Sequence, residues 1–119
     1  MSDRSHSHHI IDYIEINVLD MSVAKRFYEA AFQWKFNEYG DAYAGIQKGD
    51  GEAGGLRLVE TNVTGGPLVI LYSINLEESL RQVKEAGGEI SLDIISFPGG
   101  RRFQFRDPSG NELAVWSDK

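Results

Sequence analysis

The sequence contains no cysteine, which excludes disulfides, thiolate metal sites and a cysteine nucleophile. Histidine is confined to His6, His8 and His9 in the polar start, so the rest of the chain holds no imidazole base for a serine triad. Positive charge is scarce: 12 Lys and Arg against 18 Asp and Glu leave a net charge of −6. Phosphate binding relies on a basic surface that releases counterions, so no nucleic-acid partner is expected. An anionic membrane surface is disfavoured for the same reason. No apolar run reaches the ~20 residues that span a bilayer, and the polar start does not read as a signal peptide. Neither a phosphate-binding glycine loop nor a Gly-x-Ser-x-Gly elbow is present. A cysteine-free chain of this kind has the cytoplasm as its default location.

With 119 residues the chain supports one domain and not two independent cores. Residues 1–9 read as a disordered tail. Its three histidines can hold a transition metal weakly, but a disordered leader is the favoured reading. Residues 10–119 read as the folded domain. Its first strand alternates, with Ile14, Ile16 and Val18 on one face and Tyr13, Glu15 and Asn17 on the other. Asp20 then caps a helix over residues 22–32, in which Val23, Phe27, Ala30 and Ala31 recur at helical spacing. Short strands follow at 34–39 and 42–48, split by Gly40-Asp41, and a fourth at 56–59.

The order then recurs. Residues 67–74 form an apolar strand, Asn75 caps a helix over 76–86, and Gly87-Gly88 stops it. Strands at 89–97, 102–106 and 111–116 complete the set, with Asp107-Pro108-Ser109-Gly110 as a tight turn. The capping residues Asp20 and Asn75 stand 55 residues apart. Two tandem βαβββ modules, at about 10–61 and 66–119, are therefore expected in an α+β domain. A helix covers one face of each sheet, and the other face must be buried elsewhere. The simplest solution brings the two bare faces together around a cavity.

Several segments resemble the glyoxalase/bleomycin-resistance/dioxygenase (vicinal oxygen chelate) superfamily. They are the strand and capped helix of Tyr13 to Glu29, with its Phe27-Tyr28 pair; Phe32-Gln33-Trp34; Lys84-Glu85-Ala86-Gly87-Gly88; and the hairpin Phe105-Arg106-Asp107-Pro108-Ser109-Gly110-Asn111. The resemblance covers about residues 10–117. It implies a half-open, cavity-enclosing sheet, completed or packed in a homodimer. It also implies a function among lyases, dioxygenases and small-molecule binding proteins, since this fold hosts unrelated chemistries. By the family's register, the metal-ligand positions fall on Tyr13, Leu68, Ala114 and near Arg57. These are not the His, Glu or Gln that a divalent ion needs. No metal of the usual kind and no cofactor are expected, which puts lyase and dioxygenase activity in doubt.

Strand alternation sends Tyr13, Glu15 and Asn17 inward, together with Arg57, whose neighbours Leu56 and Leu58 go to the core, then Leu68, Ile70 and Tyr72, then Glu112, Ala114 and Trp116. The candidate ligand pocket is thus Tyr13, Glu15, Arg57, Tyr72, Glu112 and Trp116, with Glu15 and Arg57 expected to pair. Taken singly, each residue is as well explained by packing or pairing. Together they form the mixed aromatic and polar lining of a small-molecule site. The preferred reading is metal-free binding of a small, partly aromatic molecule. Two alternatives remain open: a metal-dependent lyase or dioxygenase with a non-standard ligand set, and a non-catalytic interaction module.

Overall fold

A computed structural model describes residues 6–62 and 64–119. Part of the expected tail, residues 1–5, lies outside them. Residues 6–9 are exposed; Ile10 N donates to Ser7 O at 3.2 Å and the His6 ring meets Asp12 at 2.6 Å.

The chain runs β1 (Ile14–Val18), α1 (Met21–Phe32), β2 (Phe36–Glu38), β3 (Tyr43–Lys48), β4 (Gly51–Leu58), β5 (Val69–Tyr72), α2 (Leu76–Glu85), β6 (Glu89–Phe97), β7 (Gly100–Arg106) and β8 (Glu112–Ser117). The expected repeat is present in the topology: the sheets have orders β1-β4-β3-β2 and β5-β8-β7-β6. In each, the strand before the helix lies parallel to the last strand of its module. Both caps work as expected. Asp20 accepts from Val23 N at 3.0 Å and Asn75 from Glu78 N at 3.2 Å. Helix α2 ends before Gly87, which takes φ 101°, whereas α1 ends at Gln33 with φ 60°. A side chain in that left-handed position costs roughly 1 kcal/mol relative to glycine.

Three expectations need correction. Strand β4 begins at Gly51, five residues earlier than expected, because Gly54 permits close approach to β1; a Cβ there would lie 2.0 Å from Ile14 O. Leu58 is not in the core but 38% exposed, at the end of β4 in an open depression beside the first turn of α1. The two modules also do not press their bare faces together. Their helices pack on each other, and Phe105 of the second module lies against Phe27 and Phe32 of α1, with ring centroids 5.9 and 5.6 Å apart. One core therefore serves both modules on the helix side, and the helix-free faces stay open, with Ile70 47% and Tyr72 49% exposed.

The modules are joined by polar bonds as well as by this core. The buried Asp107 accepts the Tyr28 hydroxyl at 2.7 Å, the backbone N–H groups of Ser109 and Asn111 at 2.9 Å each, and Asn111 Nδ2 at 3.0 Å. Asn111 Nδ2 also reaches Asn17 O of β1 at 2.6 Å, and Leu19 N donates to Ser109 Oγ at 2.8 Å. Burial, with the Asp107 charge beside it, holds the Tyr28 phenol well above its usual pKa.

Tyr28→Phe removes one of four donors to Asp107 and should lower stability by about 1–2 kcal/mol in urea denaturation. Asp107→Ala strands all of them and should cost about 3–5 kcal/mol. Equal costs would show that Asp107 is not the hub of this junction.

Candidate functional site

The helix-free face of the first sheet is organised by a row of cross-strand partners, Glu15 opposite Gly55, Gly55 opposite Gly45 and Gly45 opposite Asn37. The two glycines make a low floor. A Cβ at Gly55 would lie 2.2 Å from the Tyr43 hydroxyl, and one at Gly45 would lie 2.1 Å from Glu52 Oε2. Polar side chains therefore lie flat across the sheet. A register shift between Ile46 and Gln47 sets Glu52 opposite Gln47. Strict alternation would send Glu52 to the core face; the bulge turns it to the open one.

Hydrogen bonds then converge on two carboxylates. Glu52 accepts from Tyr39 at 2.6 Å, Asn37 at 2.8 Å and Tyr13 at 3.3 Å. Tyr43 donates to Glu15 at 3.0 Å, and its hydroxyl meets that of Tyr13 at 2.8 Å. The amide of Asn37 and the phenol of Tyr39 hold Glu52 below the usual carboxylate range. The phenols move the other way. Tyr43 is pushed up by burial and then by its bonds to Tyr13 and Glu15, and Tyr39 by its bond to Glu52.

On the second sheet, Glu112 accepts from Ser91 Oγ at 2.6 Å and Gln104 Nε2 at 2.9 Å. These two donors lower its pKa. Tyr72 packs edge to face on Trp116 at 5.3 Å and donates to Asp118 at 2.5 Å. Between the sheets runs a groove of about 570 Å³, lined by Glu15, Asn17, Asn62, Gln104, Arg106 and Glu112 among others.

Of the six sequence-predicted pocket residues, Glu15 and Glu112 line this groove. Tyr13 flanks it through the phenol network. Tyr72 and Trp116 form their own pair farther along the second sheet, and Arg57 stands opposite Asn17 and Tyr43. The expected Glu15–Arg57 pair does not form. The parallel register sets Glu15 across from Gly55 and not Arg57, and Tyr43 reaches over the glycine to bond it. Sequence reasoning missed Glu52, Asn37 and Tyr39, because the bulge reverses the face of Glu52. It also missed Asn62, in the linker between the modules. The alternating Tyr43, Gly45 and Gln47 was the one usable signal for the phenol cluster.

The family's metal positions carry no matching donors. Leu68 lines the groove with alkyl carbon, Ala114 is buried, and Arg57 is cationic. Among the described residues no group of three or more His, Cys, Asp and Glu converges on a point. This donor set does not fit a divalent ion.

Glu52 and Glu112 titrate below their unfolded value of about 4.3, so their stabilisation is complete above that pH and is lost as pH falls through the lowered folded values. Denaturant midpoints should fall on acidification, and Glu52→Gln should flatten that limb. An unchanged acid limb in the variant would show that the cluster adds nothing to stability.

The sequence matches the profile of the Glyoxalase/Bleomycin resistance protein/Dioxygenase superfamily over residues 10–115. Among solved structures, a glyoxalase-related enzyme from Fulvimarina pelagi superposes with a TM-score of 0.79 at 18% identity, covering 92% of this chain and 88% of its own. A glyoxalase/bleomycin resistance protein/dioxygenase family enzyme from Burkholderia phytofirmans PsJN gives 0.76 at 14% identity, with 90% and 97% covered. A lactoylglutathione lyase from Agrobacterium tumefaciens gives 0.71 at 16% identity, with 92% and 93% covered. At these identities the likeness is one of fold. No curated protein matches the sequence. The profile covers both βαβββ modules, from the residues before β1 to the middle of β8, and on that ground the chain belongs to the Glyoxalase/Bleomycin resistance protein/Dioxygenase superfamily.

Proposed function

We propose that the chain binds a small, partly aromatic molecule in the groove between its modules, without a resident metal. The observation that carries this reading is the groove itself, which gathers Glu15 from the first module and Glu112 from the second around one concave space. Its volume is in the range of ligand pockets. Aromatic side chains stand near it: Tyr43 reaches it through its bond to Glu15, with Tyr13 and Tyr39 beside Tyr43, and the Tyr72–Trp116 pair lies farther along the second sheet. Arg57, on the helix-free face of the first sheet, completes the set of ligand-facing groups. The folded unit in this reading is residues 10–119, and its location is cytoplasmic, in keeping with the cysteine-free composition. Among the described residues no helix is long and apolar enough to cross a membrane.

Dialysed protein lacking residues 1–9 should show no stoichiometric divalent ion by elemental analysis. Small aromatic probes should change the fluorescence of Trp116, and Trp116→Phe should remove that change. One tightly held metal per chain, or failure of every probe, would overturn the reading.

The same reading includes a homodimer. Ile70 and Tyr72 on one edge strand of the second sheet, and Ile95 and Phe97 on the other, are 37–49% exposed, and exposed apolar surface of this kind marks association surfaces. Light scattering at dilute concentration should report two chains, and Ile70→Asp should shift the mass toward one. A persistent monomer would mean that each chain uses its groove alone.

A further inference from the structure

The tandem arginines of β7 part ways in the fold. Phe103 and Phe105 are buried on the core side of the sheet, so Arg102 belongs to the helix-free face. Arg101 is committed: it bonds Glu77 at the start of α2, and its Nε donates to Lys119 O at 3.1 Å. Arg102 is half-buried and makes no hydrogen bond or ion pair among the described residues. Asp93, two residues before its cross-strand neighbour Ile95, does not pair with it.

Strand register sets Arg102 in a row across all four strands. Tyr72 of β5 stands opposite Trp116 of β8, Trp116 opposite Arg102, and Arg102 opposite Ile95 of β6. Trp116 is held in place within the row. Tyr72 meets it edge to face at 5.3 Å, and a Cβ at Gly100 would lie 3.3 Å from its Cε3, so the glycine leaves room for the indole. The indole N–H also has no partner among the described residues. Asp118 is engaged on two sides, by the Tyr72 hydroxyl at 2.5 Å and by Lys119 Nζ at 3.6 Å.

The same face of the first sheet is different: its phenols and amides are spent on Glu15 and Glu52. The row on the second sheet holds two uncommitted N–H donors beside a fixed aromatic surface. A half-buried guanidinium without a counter-charge has lost hydration that it does not recover from the protein. A carboxylate matches its planar fork, and an aromatic body attached to that carboxylate covers the indole. Trp116 and Arg102 stand on the inner strands, and the edge strands flank them.

We infer that this row is a second binding surface, separate from the groove, which takes planar aromatic carboxylates, the carboxylate on Arg102 and the ring against Trp116 and Tyr72. It does not depend on the groove being a ligand site.

Calorimetric titration of the full chain with 2-naphthoate, 2-naphthalenemethanol and cyclohexanecarboxylate tests it. Naphthoate should bind at least about tenfold more tightly than either of the others. Arg102→Gln should lower naphthoate affinity by about tenfold and leave naphthalenemethanol unchanged, and Trp116→Leu should weaken both naphthyl probes. Lys48→Gln, which removes an exposed cation at the end of β3, should change neither. Circular dichroism establishes folding, and if Trp116→Leu does not fold then Arg102→Gln decides. Equal binding of naphthoate and naphthalenemethanol, or of naphthoate and cyclohexanecarboxylate, overturns the inference. So does a loss in Lys48→Gln as large as in Arg102→Gln, because bulk charge then explains the preference. An equally large loss in Arg106→Gln places the anion in the groove, which overturns the second surface and leaves the proposed function standing. Trp116 emission that shifts with protein concentration but with no probe assigns the row to a second copy of the chain and overturns it as well.

Discussion

The buried carboxylate of Asp107 is the constraint on which the arrangement of the two modules depends. A charge at 5% exposure is tolerable only when its acceptor capacity is filled. Here a phenol from α1, two backbone amides and one side-chain amide fill it. Three of those donors come from its own hairpin, so Asp107 first sets the turn between β7 and β8. The fourth, Tyr28, belongs to the other module. The turn can thus be satisfied completely only when α1 docks beside it. Asn111 and Ser109, oriented by the same turn, then reach β1 through Asn17 O and Leu19 N. The apolar contacts of Phe105 with Phe27 and Phe32 supply burial, and the polar bonds supply position.

That docking decides what the open face looks like. With the cores merged on the helix side, the opposite faces of both sheets remain available, and the seam between them becomes a groove. The first sheet meets the groove with a flat polar surface because Gly45 and Gly55 carry no side chain where Glu52 and Tyr43 must lie. Glu52 reaches that surface only through the irregular register between β3 and β4. A polar network laid over a glycine floor is ordered without being buried.

Membership of the superfamily rests on the architecture of this chain and assigns no chemistry to its centre. The topology, the capped helices and the Asp-Pro-Ser-Gly-Asn hairpin belong to the architecture, and they are intact. The positions expected for the family's metal ligands fall on Tyr13, Leu68, Ala114 and near Arg57. These residues offer alkyl carbon, a guanidinium and a phenol engaged with its neighbours, which do not make a ligand set for a divalent ion. A scaffold can keep its packing while its site changes, because the packing lies on the helix side and the site on the other.

By itself the sequence determined the modules. Asp20 and Asn75 announced the helices, alternation placed Ile16 and Val18 in the core, and glycine and proline marked the turns, because caps, periodicity and turn chemistry are local. It also put Glu15 and Glu112 on the helix-free faces, since each follows from the side-chain period of its own strand. Only tertiary structure decided the rest. Strand register replaced Arg57 with Tyr43 as the partner of Glu15, a bulge carried Glu52 across the sheet, and α1 docked on the hairpin of Asp107. Each of these is a relation between segments distant in the chain, and no local pattern encodes which backbone will arrive opposite which.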